Sequence, residues 1–160
     1  MPAWVRQGFE DYQSRLPRHI QLQLREINLP ERTANSDLLR LKEEEGERLL
    51  AGVHADDMVI ALDEGGKQWT SRELAGELFG WLQDKRNVSL LVGGPDGLSR
   101  VCLDRADRTW SLSRLTLPHM LVRVVLAEQL YRAYAITQNH PYHRDRKTGH
   151  HSGICLSQAP

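Results

Sequence analysis

Near its carboxyl end the sequence gathers two histidines, a tyrosine and an arginine in the run "NHPYHR", Asn139 to Arg144. An imidazole can take a proton near neutral pH and a guanidinium can hold an anion, so this set could run a proton shuttle beside an anion clamp. It could also stack a flipped-out base and hold its phosphate. A polar helix terminus uses the same residue types for solvation alone. Upstream, His119 follows Pro118 at the head of a long apolar segment. The N–H groups of a helix start favour anions there and disfavour imidazolium, and capping or packing is the commoner use of such a histidine. Arg123 and Arg132 recur on the same segment, where surface and salt-bridge roles are the ordinary ones.

A second stretch, "LLVGGPDGLS", carries a different chemistry. A buried-looking strand ends in Gly93 and Gly94, and Pro95, Asp96 and Gly97 follow before a helix can begin. Ligands in open α/β sheets sit at the carboxyl ends of strands. The glycine pair lets a ligand approach the main chain without meeting a Cβ and leaves N–H and C=O groups for an adenine edge or a carboxylate. The Lys-Ser/Thr ending of a Walker motif and the GxGxxG spacing are both missing, so this is not a phosphate loop. A tight turn accounts for the same glycines with no ligand at all. "LDEGG" at 62–66 and "SRLTLPH" at 113–119 are the two other strand ends of this kind.

The elements that must position these residues alternate in type. "PAWVRQGFEDYQSRL" has helical apolar spacing, and "IQLQLREI" alternates Ile20, Leu22 and Leu24 with polar residues as a half-buried strand does. "NSDLLRLKEEEGERLLAGV" predicts a helix capped by Asn35 or Ser36, with Glu43 to Glu47 on its solvated face. "MVIALD" is a strand buried on both sides and ended by "EGG"; Thr70 and Glu73 form a capping box for the next helix. "VSLLVGG" is a strand, "LSRVCLDRA" a short helix, "WSLSRLTL" a strand and "HMLVRVVLAEQLYRAYAI" a long helix. Four strands and five helices in this order predict an α/β domain with a mainly parallel sheet flanked by helices. The long helix carries apolar residues around much of its circumference, which calls for two partners: its own sheet and another subunit.

At 160 residues the chain suits one domain with a proper core. Residues 1–99 carry 12 Lys/Arg against 17 Asp/Glu, and residues 100–160 carry 9 against 4, a swing from −5 to +5. A basic, His-rich carboxyl-terminal part suits a polyanion such as RNA, as it suits a solvated basic surface. Cys102 and Cys155 are far apart with no ligand spacing, so neither a disulfide framework nor a zinc site is expected, and a reducing cytoplasm fits. No signal-like amino terminus or bilayer-length apolar run is present. "DRKTGHHSGICLSQAP" lacks periodicity and reads as a tail.

In "LLVGGPDGLS", "WSLSRLTLPHMLVRVVLAEQLYRAYAI" and "NHPYHR", order and spacing together resemble the small ribosomal large-subunit pseudouridine N3-methyltransferases of the SPOUT superfamily. The resemblance covers residues 1–144, implying one SPOUT-like domain there with residues 145–160 as a disordered tail. It implies a homodimer whose carboxyl-terminal part is threaded into a trefoil knot, a rare exception to unknotted connections. The knot loops would bind S-adenosylmethionine through Leu62, Gly93, Leu112, Ser113, Arg114, Leu115, Thr116 and Leu117.

The implied reaction is methyl transfer to N3 of a pseudouridine in ribosomal RNA, on the ribosome and without a metal. The matching catalytic residues are His119, Glu128, Arg132, Tyr142, His143 and Arg144. Within that set His119 or His143 would accept the proton, Arg132 and Arg144 would contact the anion or phosphate, and Tyr142 would orient the base. The family begins with a further short strand ahead of the segment matching "MPAWV" and ends near Arg144; this chain opens on the helix and runs 16 residues further, so one central strand is expected to be lacking. The alternatives are a catalytically impaired RNA- or ribosome-binding remnant of the same fold and, against the basic carboxyl-terminal part, a nucleotide-binding α/β protein unrelated to RNA.

Overall fold

The computed structural model describes residues 1–28, 31, 33, 37–139 and 142. The carboxyl-terminal tail from residue 145 lies outside the described residues, as do His143 and Arg144. Three strands, β1 (Met58–Gln68), β2 (Val88–Val92) and β3 (Arg108–Ser111), form a parallel sheet in the order β2-β1-β3. The helices are α1 (Ala3–Arg15), α2 (Leu38–Ala51), α3 (Ser71–Asp84), α4 (Arg100–Arg105) and α5 (His119–Thr137). The α/β architecture predicted from the alternation of elements is therefore present.

β1 takes the centre because its apolar run can be covered on both sides: Val59, Ile60 and Ala61 are fully buried. Ile60 joins Trp110 and the apolar faces of α3 and α5 (Leu74, Leu78, Trp81, Leu126, Leu130). Val59 and Ala61 join Leu91, Leu98 and Cys102 on the other face, closed by Leu49, Leu50 and Val53. Alternation along one strand thus feeds two cores, the period-two geometry of a pleated chain.

Thr70 caps α3, its hydroxyl accepting the Glu73 N–H at 3.1 Å. α2 starts later than predicted: Asp37 is its cap, accepting the Leu39 N–H at 3.0 Å, and Asn35 and Ser36 lie outside the described residues. α5 packs against α3 on one side and α1 on the other, and Gly8 admits α1 so closely that a Cβ there would meet Val124 at 3.3 Å. One of the two partners that its apolar circumference requires is therefore α1 of the same chain. No helix among the described residues is long and apolar enough to cross a membrane.

Three strand expectations are corrected. Residues 21–28 form no strand; two of their carbonyls are met by side chains, Gln13 Nε2 donating to Leu22 O and Arg48 Nη1 to Asn28 O, both at 2.5 Å. Alternation reports only that one side is apolar, and Leu22 satisfies it by packing on the core without a ladder. β1 does not stop at "EGG". Leu62 and Lys67 both stand opposite Trp110, so residues 63–66 loop out and the strand returns. Gly66 permits this, because a Cβ there would lie 2.7 Å from the Thr109 and Trp110 backbone. β3 ends at Ser111 rather than at Leu117: Ser111 Oγ donates to Ser113 O (3.0 Å), and Ser113 Oγ accepts the Leu115 N–H (2.9 Å), a local pattern that competes with a ladder.

Candidate active site

Parallel register sets the three candidate strand ends side by side. Leu62 stands opposite Val92 of β2 and Trp110 of β3, so the segments that follow (63–66, 93–99 and 112–118) leave the same edge of the sheet. Leu62, Leu112 and Leu117 are partly buried against the core between the sheet and α5. Arg114 and Thr116 are exposed, and Leu115 is 73% exposed. Thr116 Oγ1 donates to Glu64 Oε1 at 3.0 Å, which ties this loop to the β1 excursion. The structure thus brings all eight proposed cofactor residues to one edge.

The glycine loop at this edge is less open than its sequence implies. Gly97, at φ +77°, donates its N–H to Gly94 O at 3.0 Å, and the two residues form an isolated antiparallel bridge. A Cβ on Gly93 would lie 2.5 Å from the Gly97 carbonyl carbon and 2.8 Å from Leu98 N. The space freed by Gly93 is therefore filled by the loop's own backbone. Gly94 was expected to offer free main-chain groups, but its N–H donates to Glu45 Oε1 at 2.9 Å and its carbonyl accepts Gly97. Glu45, read from the sequence as part of a solvated acidic face, is the acceptor that composition could not single out.

The catalytic candidates among the described residues fall into two groups, one at the start of α5 and one gathered around Glu128 at its middle. Glu128 and Arg132 share a helical face by their i, i+4 spacing. Arg132 Nη2 and Nε donate to Glu128 Oε1 at 2.6 and 2.9 Å, and the Tyr142 hydroxyl donates to the same oxygen at 3.0 Å. The Arg132 guanidinium also lies over the Tyr142 ring, 4.9 Å from its centroid. Burial, then the bonds to Glu128 and Tyr12, push the Tyr142 phenol well above its ordinary value; the Glu128 bond raises Arg132. Tyr142 thus stays a donor and Arg132 a cation. Gln129 Nε2 donates to Glu128 Oε2 and Ser71 Oγ to Gln129 Oε1, both at 2.7 Å, extending the network to α3. Sequence reasoning missed Tyr12, Ser71 and Gln129, whose only signal is contact made by the fold.

His119 is not in that cluster. It opens α5, roughly 14 Å along the helix axis from Glu128 at 1.5 Å per residue. With Met120 and Arg123 it lines a cavity of about 1060 Å³ between residues 16–28 and β2. Arg123 has the salt-bridge role considered for it, donating to Glu26 Oε1 at 2.6 Å and holding that carboxyl below its usual range.

Residues 1–143 match the model of the family described as predicted SPOUT methyltransferase. The "Ribosomal RNA large subunit methyltransferase H" of Methylococcus capsulatus is 55% identical over 144 residues, 90% of this chain and 93% of that protein. Both matches take in the sheet, its three carboxyl-end segments and α5, and on them the chain belongs to the SPOUT methyltransferase family and is a methyltransferase.

Proposed function

We propose that this enzyme transfers a methyl group from S-adenosylmethionine to N3 of a pseudouridine in large-subunit ribosomal RNA, acting on the ribosome in the cytoplasm as a homodimer. The observation that carries the reading is the register of Leu62 with Val92 and Trp110, which gathers the three loops at one edge. The side chains there fit the cofactor's chemistry: Leu62, Leu112 and Leu117 offer apolar surface for an aromatic base, and Ser113 and Thr116 offer hydroxyls beside main-chain groups. The domain is read as residues 1–144, its carboxyl-terminal part threaded as a trefoil knot, with residues 145–160 as a tail. The 55% identity to a ribosomal RNA methyltransferase supports the substrate class.

When bound, the cofactor supplies an electrophilic methyl group on a sulfonium. This chain's residues must take the N3 proton, hold the resulting anion and fix the ring in line. His119 or His143 takes the proton, Arg132 and Arg144 face the anion or a phosphate, and Tyr142 orients the base. Glu128 holds Arg132 and Tyr142 in place for this through one shared oxygen. With His119 and the Glu128 cluster about 14 Å apart along the α5 axis, this reading completes one site from the loop end of one copy and the Tyr142 end of another. That is the support for a homodimer.

Calorimetry with S-adenosylmethionine, followed by methyl incorporation into ribosomes and mapping of the modified atom, tests the reading. Binding with transfer to N3 of a pseudouridine is the expected result; transfer to another atom would overturn the specificity. One feature favours a second reading, the impaired remnant: among the described residues β2 is an edge strand whose outer side faces the 1060 Å³ cavity. Ribosome binding without transfer would select it.

A further inference from the structure

We propose that Glu45 is a positioning residue for the cofactor, acting through the loop at residues 93–97 without touching the ligand. The proposal rests on the reading of that loop as one wall of the cofactor site. Glu45 projects from α2, an element outside the three carboxyl-end segments, and its Oε1 accepts the Gly94 N–H at 2.9 Å. Both carboxylate oxygens lie 3.2 Å from where a Gly94 Cβ would stand, so the side chain is packed against the loop as well as bonded to it. The next residue, Gly46, is buried; a Cβ on it would overlap Ser99 Oγ and lie 3.3 Å from Cys102 Sγ. Ser99 is the cap of α4, where the loop ends. Two consecutive residues of α2 therefore hold this loop near its start and at its finish. The neighbouring Glu44 has the ordinary helix role, pairing with Arg40 at 3.3 Å, whereas Glu45 is directed to the loop.

An N–H bonded to a carboxylate is among the stronger hydrogen bonds available to a loop. Without that acceptor Gly94 must turn toward water, and the loop shares its population among conformations of which only some are competent. Apparent cofactor affinity then falls by the competent fraction, while turnover of the filled site is largely kept. Affinity and turnover should separate.

The test uses the full chain in four forms: parent, Glu45→Ala, Glu45→Asp and Glu45→Gln. Amide exchange at Gly94 is measured without cofactor, S-adenosylmethionine affinity by calorimetry, and methyl transfer to ribosomes at saturating cofactor. Glu45→Ala is expected to speed Gly94 exchange and weaken the cofactor about tenfold, as the loss of one charge-assisted bond implies, with saturated transfer within about twofold. Glu45→Asp keeps the charge and the fold but withdraws the acceptor by one methylene, so it should behave like Glu45→Ala. Glu45→Gln keeps an oxygen in reach and should restore most of the affinity. Unchanged affinity in both Glu45→Ala and Glu45→Asp, with a parent that binds, would overturn the positioning role alone. A parent that does not bind the cofactor would overturn the cofactor reading and this proposal with it.

Discussion

The two longer loops at the carboxyl edge of the sheet are held in opposite ways. The Gly93 loop closes on itself: Gly97 bonds to Gly94, Gly93 packs on Gly97 backbone, and α2 supports it from behind through Glu45 and Gly46. The loop at 112–118 is pinned at its ends by Leu112 and Leu117 and crosses open surface between them, with Leu115 73% exposed. Its local bonds come from the Ser111 and Ser113 hydroxyls, and Thr116 ties it to Glu64 of the β1 excursion. Main-chain closure with glycines makes a stiff wall; apolar anchors with hydroxyl bonds make a segment that can adjust to what it holds. In the proposed cofactor site one wall would be closed by its own main chain and the other held by side chains.

The largest effect should lie outside both loops and show what neither does. Tyr142→Phe removes the hydroxyl bonded to Glu128 and is expected to cut single-turnover methyl transfer by about 10²–10⁴-fold with cofactor affinity unchanged. Equal loss of affinity would mean that the Tyr142 end and the loops are one binding unit, and the comparison would lose its basis.

Next, Gly93→Val drives a branched side chain into Gly97 backbone 2.5 Å away and should destabilise the fold by at least about 3 kcal/mol, read as a large fall in Tm. Parental stability in the Gly93→Val variant would show that this wall is not closed by main-chain contact. Gly97→Ala has open space around the new Cβ but must hold φ +77°, so about 1–2 kcal/mol is expected in a urea titration.

Ser113→Ala, in the adjustable loop, loses one bond to the Leu115 N–H at an exposed position. About 0.5 kcal/mol or less is expected in the same titration, with a larger proportional change in cofactor affinity. The smallest effect is alkaline. Because the Tyr142 phenol is raised in the folded state, its bonds contribute fully below the unfolded value of about 10 and are lost only as pH rises through the folded one. An ultraviolet titration should therefore show a tyrosine that ionises late in the parent and is absent from Tyr142→Phe.

Local signals were legible wherever a residue's bonding partner lies within a few positions. The cap of α3 by Thr70 and the start of α5 after Pro118 satisfy their backbone groups by rules of short range, and the continuous apolar run of β1 is itself a local signal of burial on both sides. Misreadings came where partners are distant. Residues 20–27 have the alternation of a strand, but a strand exists only by pairing, and here Gln13 and Arg48 take carbonyls of this segment and its end. The Gly93 pair was legible as a site of close approach, but not the identity of the approaching group, which is Gly97 and Leu98 of the same loop.

The sequence by itself determined the alternation of strands and helices, and with it a parallel sheet whose carboxyl ends carry glycine and hydroxyl-bearing loops. It also determined that Glu128 and Arg132 share a face, because helical spacing is a property of the backbone alone. Only the tertiary structure decided that Tyr142 shares the Glu128 carboxylate with Arg132, and that one glutamate in a run of charges reaches Gly94. Those outcomes depend on which elements pack together, and packing is settled by the summed burial of many side chains, of which no single residue or spacing carries a record.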